Sequence, residues 1–131
     1  MPELNELLQT ADWKSEKHVP VIDVPDILVK GEFTNVTASI GKAVSHPNTT
    51  QHHIAWISLF FLPDGEKYPY ELGKFNFSSH GSSINGADTS TVYTHHAGTL
   101  AFKTDKPGTL MAQSYCNIHG LWQNSKSIKV E

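Results

Sequence analysis

The sequence predicts one all-β domain that folds as an antiparallel sandwich or barrel. Several short segments alternate apolar and polar residues, turn signals separate them at regular intervals, and no stretch of about ten residues follows a helical period. The chain has 131 residues, which is the length of one ordinary domain and enough to bury a core. Its 38% hydrophobic and 18% charged residues are typical of a globular protein and not of a disordered one.

Each predicted element follows from a local pattern. Residues 2–8 favour one or two helical turns, because a proline and acids accompany leucines that fall on one side. Residues 54–62 form the longest apolar run and stop at the turn Pro63-Asp64-Gly65, which indicates a long strand. The other predicted strands are residues 19–24, 27–33, 36–40, 73–77, 91–94, 99–103, 109–115 and 127–130. Residues 23–33 are expected to form a slightly long hairpin that contains a proline.

Charge and hydropathy exclude two classes of function. All ten basic side chains are lysine and the formal charge is −3, so no basic surface is expected to bind nucleic acid. The longest apolar run is interrupted by Ser58 and is too short to span a bilayer. The first nine residues carry acids where a secretion signal needs lysines. We therefore expect a cytoplasmic protein.

Histidine and cysteine usage indicates metal chemistry. The chain has eight histidines and one cysteine, so the thiol cannot form an internal disulfide. Cys116 and His119 follow a predicted strand with a spacing that lets one tight loop present both to one ion. His46 and His52 flank a small polar loop that could direct both at a common point, and His18 lies just before another predicted strand.

The other four histidines are not expected to bind metal. His53 follows His52, and adjacent residues on a strand face opposite ways, so only one of the pair can reach a site. His95 and His96 lie in a short polar stretch and are expected to be exposed, while His80 has no partner in its motif.

Four imidazoles and one thiolate leave more than one metal open. Structural zinc closes at four ligands, so five donors are one too many. Blue copper uses two histidines, a cysteine and an axial methionine, but neither Met1 nor Met111 follows His119 as such a loop requires. Iron accepts both donor types and can retain one open position. The residues thus leave two hypotheses, a redox enzyme and a non-catalytic electron-transfer protein of blue-copper type.

Three blocks of the sequence resemble a known family. They are residues 11–22, with E-K-H-V-P at 16–20, residues 46–57, with H-P-N-T-T-Q-H at 46–52, and residues 114–122, with C-N-I-H-G at 116–120. These blocks lie in order near the start, middle and end of the chain. Together they resemble the superoxide reductases, specifically the small one-iron type often called neelaredoxin.

The resemblance implies a fold, a metal site and an activity. The fold would be an immunoglobulin-like, seven-stranded β-sandwich or barrel. One mononuclear iron would be held by four equatorial imidazoles and an axial thiolate, matching His18, His46, His52, His119 and Cys116. The family's sixth-position glutamate matches Glu16 and its open-face lysine matches Lys17. No cysteine precedes Cys116, so the second iron centre of the larger members is not expected.

The resemblance also implies partners. Superoxide would be reduced by one electron to hydrogen peroxide, and rubredoxin or a similar small electron-transfer protein would re-reduce the iron. The same site could also dismutate superoxide. Small members of the family are commonly homotetramers, and residues 1–131 would then be a single iron-binding domain in each subunit.

Overall fold

Strands form almost all of the regular structure in the computed structural model, which describes residues 1–131. One short helix, α1 (Leu4–Leu7), precedes them, and the Glu6 carboxylate accepts a hydrogen bond from the Glu3 N–H at its start. The strands are β1 (Val21–Asp23), β2 (Ile27–Leu28), β3 (Thr34–Ser39), β4 (Ile54–Pro63), β5 (Tyr70–Asn76), β6 (Ala97–Phe102), β7 (Gly108–Cys116) and β8 (Gly120–Val130). The predicted N-terminal helical turn and the all-β class are confirmed.

Two sheets pack face to face. One has three strands in the order β1-β3-β6, and the other has five in the order β2-β8-β7-β4-β5. All pairings are antiparallel except that of β2 with β8. The sheets do not close into a barrel, because β5 and β6 meet through side chains without pairing. Gly98 permits this contact, since a Cβ there would lie 2.3 Å from the Phe75 ring.

The core lies between the sheets, and β7 shows how the sequence builds it. Alternate residues of β7 are buried, from Gly108 through Leu110, Ala112 and Ser114 to Cys116. Because every second side chain of a strand points the same way, one face of β7 points toward the opposite sheet. Cys116 is 0% exposed and belongs to the hydrophobic core cluster, so its thiol reaches the end of the sandwich from the interior.

Three predicted elements differ from the structure. Residues 23–33 do not form a hairpin, because β1 joins one sheet and β2 pairs with β8 in the other. Strand β8 begins at Gly120, seven residues before the predicted strand 127–130. The middle of β8 is polar and only Trp122 and Ile128 are buried. The hydrophobic alternation that would predict a strand is therefore weak. Residues 91–94 contribute only an isolated bridge between Tyr93 and His80.

No helix in the structure has the length and apolar character needed to cross a membrane.

Candidate metal centre

Strand register gathers the predicted ligands at one end of the sandwich. Ile54, at the start of β4, pairs with Cys116 at the end of β7, and Cys116 pairs with Gly120 at the start of β8. The segment that carries His46 and His52 leads directly into β4, and His18 lies three residues before β1. Residues far apart in the sequence therefore meet because the strands that follow or precede them begin and end at the same edge.

A three-residue hairpin turn presents Cys116 and His119. Such turns place a residue of positive φ at the end of the loop, and Gly120 has a φ of 81°. The turn also directs the His119 backbone N–H at the Cys116 Sγ, 3.4 Å away. The predicted tight loop is confirmed, and its backbone donates a hydrogen bond to the sulfur. A donor to sulfur stabilises the thiolate and tunes any metal that it binds.

The loop between His46 and His52 has no regular secondary structure and is held by side chains. Thr49 closes a turn onto His52, because its Oγ1 accepts from the His52 N–H at 3.0 Å and its N–H donates to the His52 carbonyl at 2.9 Å. Asp88 accepts from the backbone N–H and the hydroxyl of Thr50, at 2.9 and 3.0 Å. Two hydrogen bonds from Asp88, which lies in a distant segment, therefore help to fix this loop, which has no strand pairing of its own.

His18 is fixed by packing and hydrogen bonding. The Trp122 indole stacks on its ring, with centroids 4.9 Å apart and planes 14° apart. Ser114, on β7, donates its hydroxyl to the His18 carbonyl at 3.4 Å. Trp122 also donates its Nε1–H to the His119 carbonyl at 3.3 Å, so one indole contacts two of the predicted ligands. Trp122 therefore packs as a wall of the site.

The four imidazole rings form a square. The neighbouring centroids are 4.9 Å apart for His18 and His46, 4.8 Å for His46 and His52, 5.1 Å for His52 and His119, and 4.6 Å for His119 and His18. The diagonal between His18 and His52 is longer, at 6.4 Å. Four imidazoles in a ring, with the Cys116 thiol beside them, could supply four nitrogen donors and one sulfur donor to a single ion.

One nitrogen of His46 and one of His52 have no hydrogen-bond partner and are free to bind an ion. His18 Nδ1 is bonded to Glu16 and His46 Nδ1 donates to the Pro47 carbonyl at 2.7 Å. The Nε2 atoms of His46 and His52 are buried without any hydrogen-bond partner. Because a buried polar atom is seldom left without a partner, these nitrogens fit a metal that the residues would hold.

The potential donor atoms are close to one another. Those of His18, His52, Cys116 and His119 all lie within 4.8 Å of one another. His46 falls outside that group and contacts it through the rings of His18 and His52, which makes it the corner opposite His119.

Burial favours the neutral form of His18, His46 and His52. Desolvation lowers the pKa of His46 to about 4 and also lowers the pKa of His18 and His52. Hydrogen bonding to Glu16 opposes this effect at His18, and the neighbouring His119 adds to it at His52. Neutral imidazole is the form that binds metal, so the fold favours the ligating state before any ion is present.

Glu16 and Lys17 flank the cluster in different ways. Glu16 Oε1 lies 2.6 Å from His18 Nδ1 and accepts from the His18 backbone N–H at 2.8 Å. Burial alone would raise the pKa of Glu16, but these hydrogen bonds outweigh it and lower the pKa. The Lys17 side chain is half-buried and has no ion-pair partner. Its charge lies close enough to His18 and His52 to help lower the pKa of both.

The other histidines lie outside the square. The His53 ring faces away from the cluster and stacks on His80, with centroids 3.6 Å apart. His95 is exposed as predicted, but the prediction that His96 is exposed was wrong. His96 is only 6% exposed because β6 begins directly after it and carries it between the sheets.

Sequence reasoning missed the residues that hold the ligand segments. Asp88 accepts a hydrogen bond from the Thr50 N–H, and Gln9 donates one to the His119 carbonyl. Neither residue lies in a recognisable motif. Asn117 bonds to both sides of His52, and its position inside C-N-I-H-G was the one signal that could have pointed to it.

The cluster does not match blue copper. Met111 lies on the opposite face of β7 from Cys116 and five residues before it, and Met1 is fully exposed. No methionine is therefore placed as an axial ligand, and the site offers four imidazoles where blue copper uses two. Fold and site together define an all-β protein with a cluster suited to a five-coordinate transition metal.

Comparisons with known proteins agree with this class. The sequence model of the desulfoferrodoxin family matches residues 10–125. The chain is 48% identical to the neelaredoxin of Megalodesulfovibrio gigas, over 96% of this chain and 97% of that protein. It is also 48% identical to the superoxide reductase of Pyrococcus furiosus, over 96% of this chain and 99% of that protein.

A solved structure extends the likeness to three dimensions. Reduced superoxide reductase (neelaredoxin) from Archaeoglobus fulgidus superposes with a TM-score of 0.88 at 53% identity, covering 94% of this chain and 98% of that one. The chain belongs to the desulfoferrodoxin family and, within it, to the superoxide reductases of neelaredoxin type, which are oxidoreductases.

Proposed function

We propose that this protein reduces superoxide by one electron to hydrogen peroxide at one mononuclear iron per chain. The ligands are His18, His46, His52, His119 and Cys116, all within residues 1–131, which act as a single domain. The observation that carries the proposal is the square of four imidazoles beside a buried thiol, with the His46 and His52 Nε2 atoms lacking any other partner.

When bound, the iron would supply the electron and an open position for the substrate. Four neutral imidazoles contribute no charge and one thiolate contributes one negative charge, so a ferrous centre keeps a net positive charge that attracts an anion. The Cys116 thiolate adds electron density to the site, as cysteine does when it ligates haem. Its burial keeps water from competing for the sulfur.

Glu16 and Lys17 have separate roles in the proposal. In its present position Glu16 accepts from His18 and thereby orients the ring so that Nε2 faces the cluster. A carboxylate bonded to His18 Nδ1 lies on the side of the ring away from Nε2, so Glu16 would have to release that nitrogen before it could bind the iron. Lys17 draws superoxide toward the cluster, or places the water that delivers a proton to the product.

The wider setting follows from the family. An external donor, rubredoxin or a similar small electron-transfer protein, returns the electron, and the subunits assemble as a homotetramer in the cytoplasm. The reaction would serve antioxidant defence. These statements rest on family membership, which the named relatives show at 48% identity over nearly their whole length.

Stoichiometry tests the reaction directly. Purified protein should contain one iron per chain, and each superoxide consumed should yield one hydrogen peroxide while a reductant is supplied. Dismutation would yield one hydrogen peroxide for every two superoxide ions. Protein without iron, or a ratio of one half, would contradict the proposed reduction.

The visible spectrum tests the thiolate ligand. The oxidised protein should show a thiolate-to-iron absorption band, and Cys116→Ser should abolish that band and most of the activity. His95→Ala is the matched control, because this exposed histidine lies outside the square. If the band survives in Cys116→Ser, Cys116 does not bind the iron.

A further inference from the structure

Asn117 joins the two loops that carry four of the five proposed ligands. Its side-chain Oδ1 accepts from the His53 N–H at 2.8 Å, and its Nδ2 donates to the Gln51 carbonyl at 2.8 Å. Its own backbone N–H donates to the His53 carbonyl at 3.2 Å. One residue therefore makes three hydrogen bonds to the backbone of Gln51 and His53, the residues on either side of His52.

The position of Asn117 gives these bonds their consequence. It lies next to Cys116 and two residues before His119, on the hairpin turn whose geometry aims both side chains. The pairing of Ile54 with Cys116 brings the two loops together, but His52 lies two residues before that pair, in a segment without regular secondary structure, so the strand ladder does not hold His52 itself. The hydrogen bonds of Asn117 hold this segment from outside the cluster.

The chemistry of the amide suits this position. An amide carries an acceptor and a donor on one planar group, which matches the His53 N–H and the Gln51 carbonyl, two residues apart. A carboxylate would keep the acceptor and lose the donor, and a hydroxyl would be too short to reach both. The orientation of the amide is fixed, since only one assignment of its oxygen and nitrogen satisfies both partners.

We propose that Asn117 is a positioning residue for the metal centre, holding His52 at bonding distance from the ion that Cys116 and His119 bind. This rests on the proposed function only in taking these residues as ligands. Asn117 contacts neither substrate nor metal and acts through the peptide groups beside His52. Partners of this kind commonly change metal affinity 10–100-fold when they are removed.

The test compares the rate of metal release with fold stability. Asn117→Ala should release iron to a chelator about 10–100-fold faster than wild type and shift the thiolate absorption band, at temperatures well below the unfolding midpoint. Asn117→Asp keeps the acceptor for the His53 N–H, so its rate of iron release should lie between those of wild type and Asn117→Ala. Should Asn117→Ala not fold, the Asp variant alone decides, because it preserves one of the two side-chain hydrogen bonds.

Thr104→Ala is the matched control. Thr104 Oγ1 also makes two hydrogen bonds within an exposed loop, both to Lys106, at the far end of the sandwich. It should lower the unfolding midpoint by a comparable amount and leave metal release unchanged. The proposal would be overturned if both Asn117 variants released metal at the wild-type rate with an unshifted absorption band. It would also be overturned if Thr104→Ala accelerated metal release as much as Asn117→Ala.

Failure of the proposed function remains distinguishable. If the wild-type protein holds no iron, the reaction is wrong, and the same release assay on the Co²⁺-loaded protein still tests Asn117, because cobalt–thiolate absorption reports the same ligands. Faster Co²⁺ release from the Asn117 variants would support the positioning role, and unchanged release would refute it.

Discussion

At the scale of single residues, the site imidazoles are divided between a structural and a ligating nitrogen. His18 and His46 each bond Nδ1 outward, to Glu16 and to the Pro47 carbonyl, and leave Nε2 for the cluster. His119 instead directs its Nδ1 into the cluster, 3.1 Å from His18 Nε2 and 3.8 Å from Cys116 Sγ. The second nitrogen therefore decides the orientation of the first, as is usual for metal-binding histidine.

Glu16 should affect both the oxidised spectrum and the orientation of His18. Glu16→Ala is expected to keep iron bound, to react with superoxide and to change the spectrum of the oxidised resting form. Glu16→Gln retains an acceptor for His18 Nδ1, so it should hold iron more tightly than Glu16→Ala. Iron release and oxidised spectra of the two variants measure this. Identical release from both would show that the hydrogen bond to His18 does not matter to the metal.

Lys17 should accelerate the encounter with superoxide. Its charge lies near His18 and His52 and is not paired with an acid, so Lys17→Ala removes an attraction for the anion. The rate should fall at low salt, and the difference from wild type should shrink as salt screens the charge. Lys17→Arg keeps the charge and serves as control. Stopped-flow or pulse-radiolysis rates at two ionic strengths decide it, and equal rates at low salt would remove the steering role.

At the scale of elements, the ligands sit where strands begin and end and not within them. The β7–β8 turn holds Cys116 and His119 because three residues suffice to reverse the chain when Gly120 takes a positive φ. The His46–His52 loop is longer and depends on contacts from Asp88 and Asn117. The first segment is thus positioned locally, and the second by distant parts of the chain.

Gly120→Ala should loosen the site by straining the turn. A φ of 81° costs a residue with a Cβ about 1 kcal/mol or more, and no atom lies near enough to clash with that Cβ. Gly65→Ala is matched to it, with the same φ of 81° and equally open surroundings at the far end of β4. Both variants should lose similar stability in denaturant, but only Gly120→Ala should release iron faster. Equal iron retention in the two would mean that the turn tolerates the change.

At the scale of the whole molecule, the two sheets bury polar groups as well as a core. His18, His46 and His96 are each 6% exposed at one end of the sandwich. Desolvation lowers the pKa of His96 to about 4, and the neighbouring His95 and His80 add to this. Closing the sandwich therefore requires this side chain to remain neutral.

Stability should fall as the pH drops from 6.5 toward 4. The unfolded chain takes up a proton on His96 near its ordinary pKa of 6.5 and the folded chain only near about 4, so acid favours unfolding across that window. The full difference corresponds to at most about 3 kcal/mol. His96→Gln should flatten this part of the pH profile, whereas His95→Gln should not. Denaturant unfolding at several pH values measures it, and parallel profiles for wild type and His96→Gln would contradict it.

Local patterns predicted the strong elements and missed those that depend on pairing. Strand β4 was evident from its long apolar run, and β7 from its alternation. Most of β8 was not, because residues 123–127 are all polar and become a strand only by pairing with β7. Strand β2 was read as half of a hairpin, although its two residues pair in parallel with the chain's last strand.

The residues of the proposed site were visible in the sequence because their chemistry is uncommon. One cysteine, the histidine spacings and the three motif blocks led to His18, His46, His52, Cys116 and His119, with Glu16 and Lys17 beside them. Such side chains can be recognised individually, since few other roles suit them. The sequence by itself thus determined the all-β class, the family and the candidate ligands.

Only the tertiary structure decided how those ligands are oriented and held. The square of imidazoles and the hydrogen bonds of Asn117 on either side of His52 depend on distances between segments up to 101 residues apart. The same holds for His96, whose polar neighbours suggested an exposed position until the sheets enclosed it. Hydrogen bonds and burial between distant segments leave no local pattern, because ordinary residue types such as asparagine, threonine and aspartate make them wherever the fold brings them into contact.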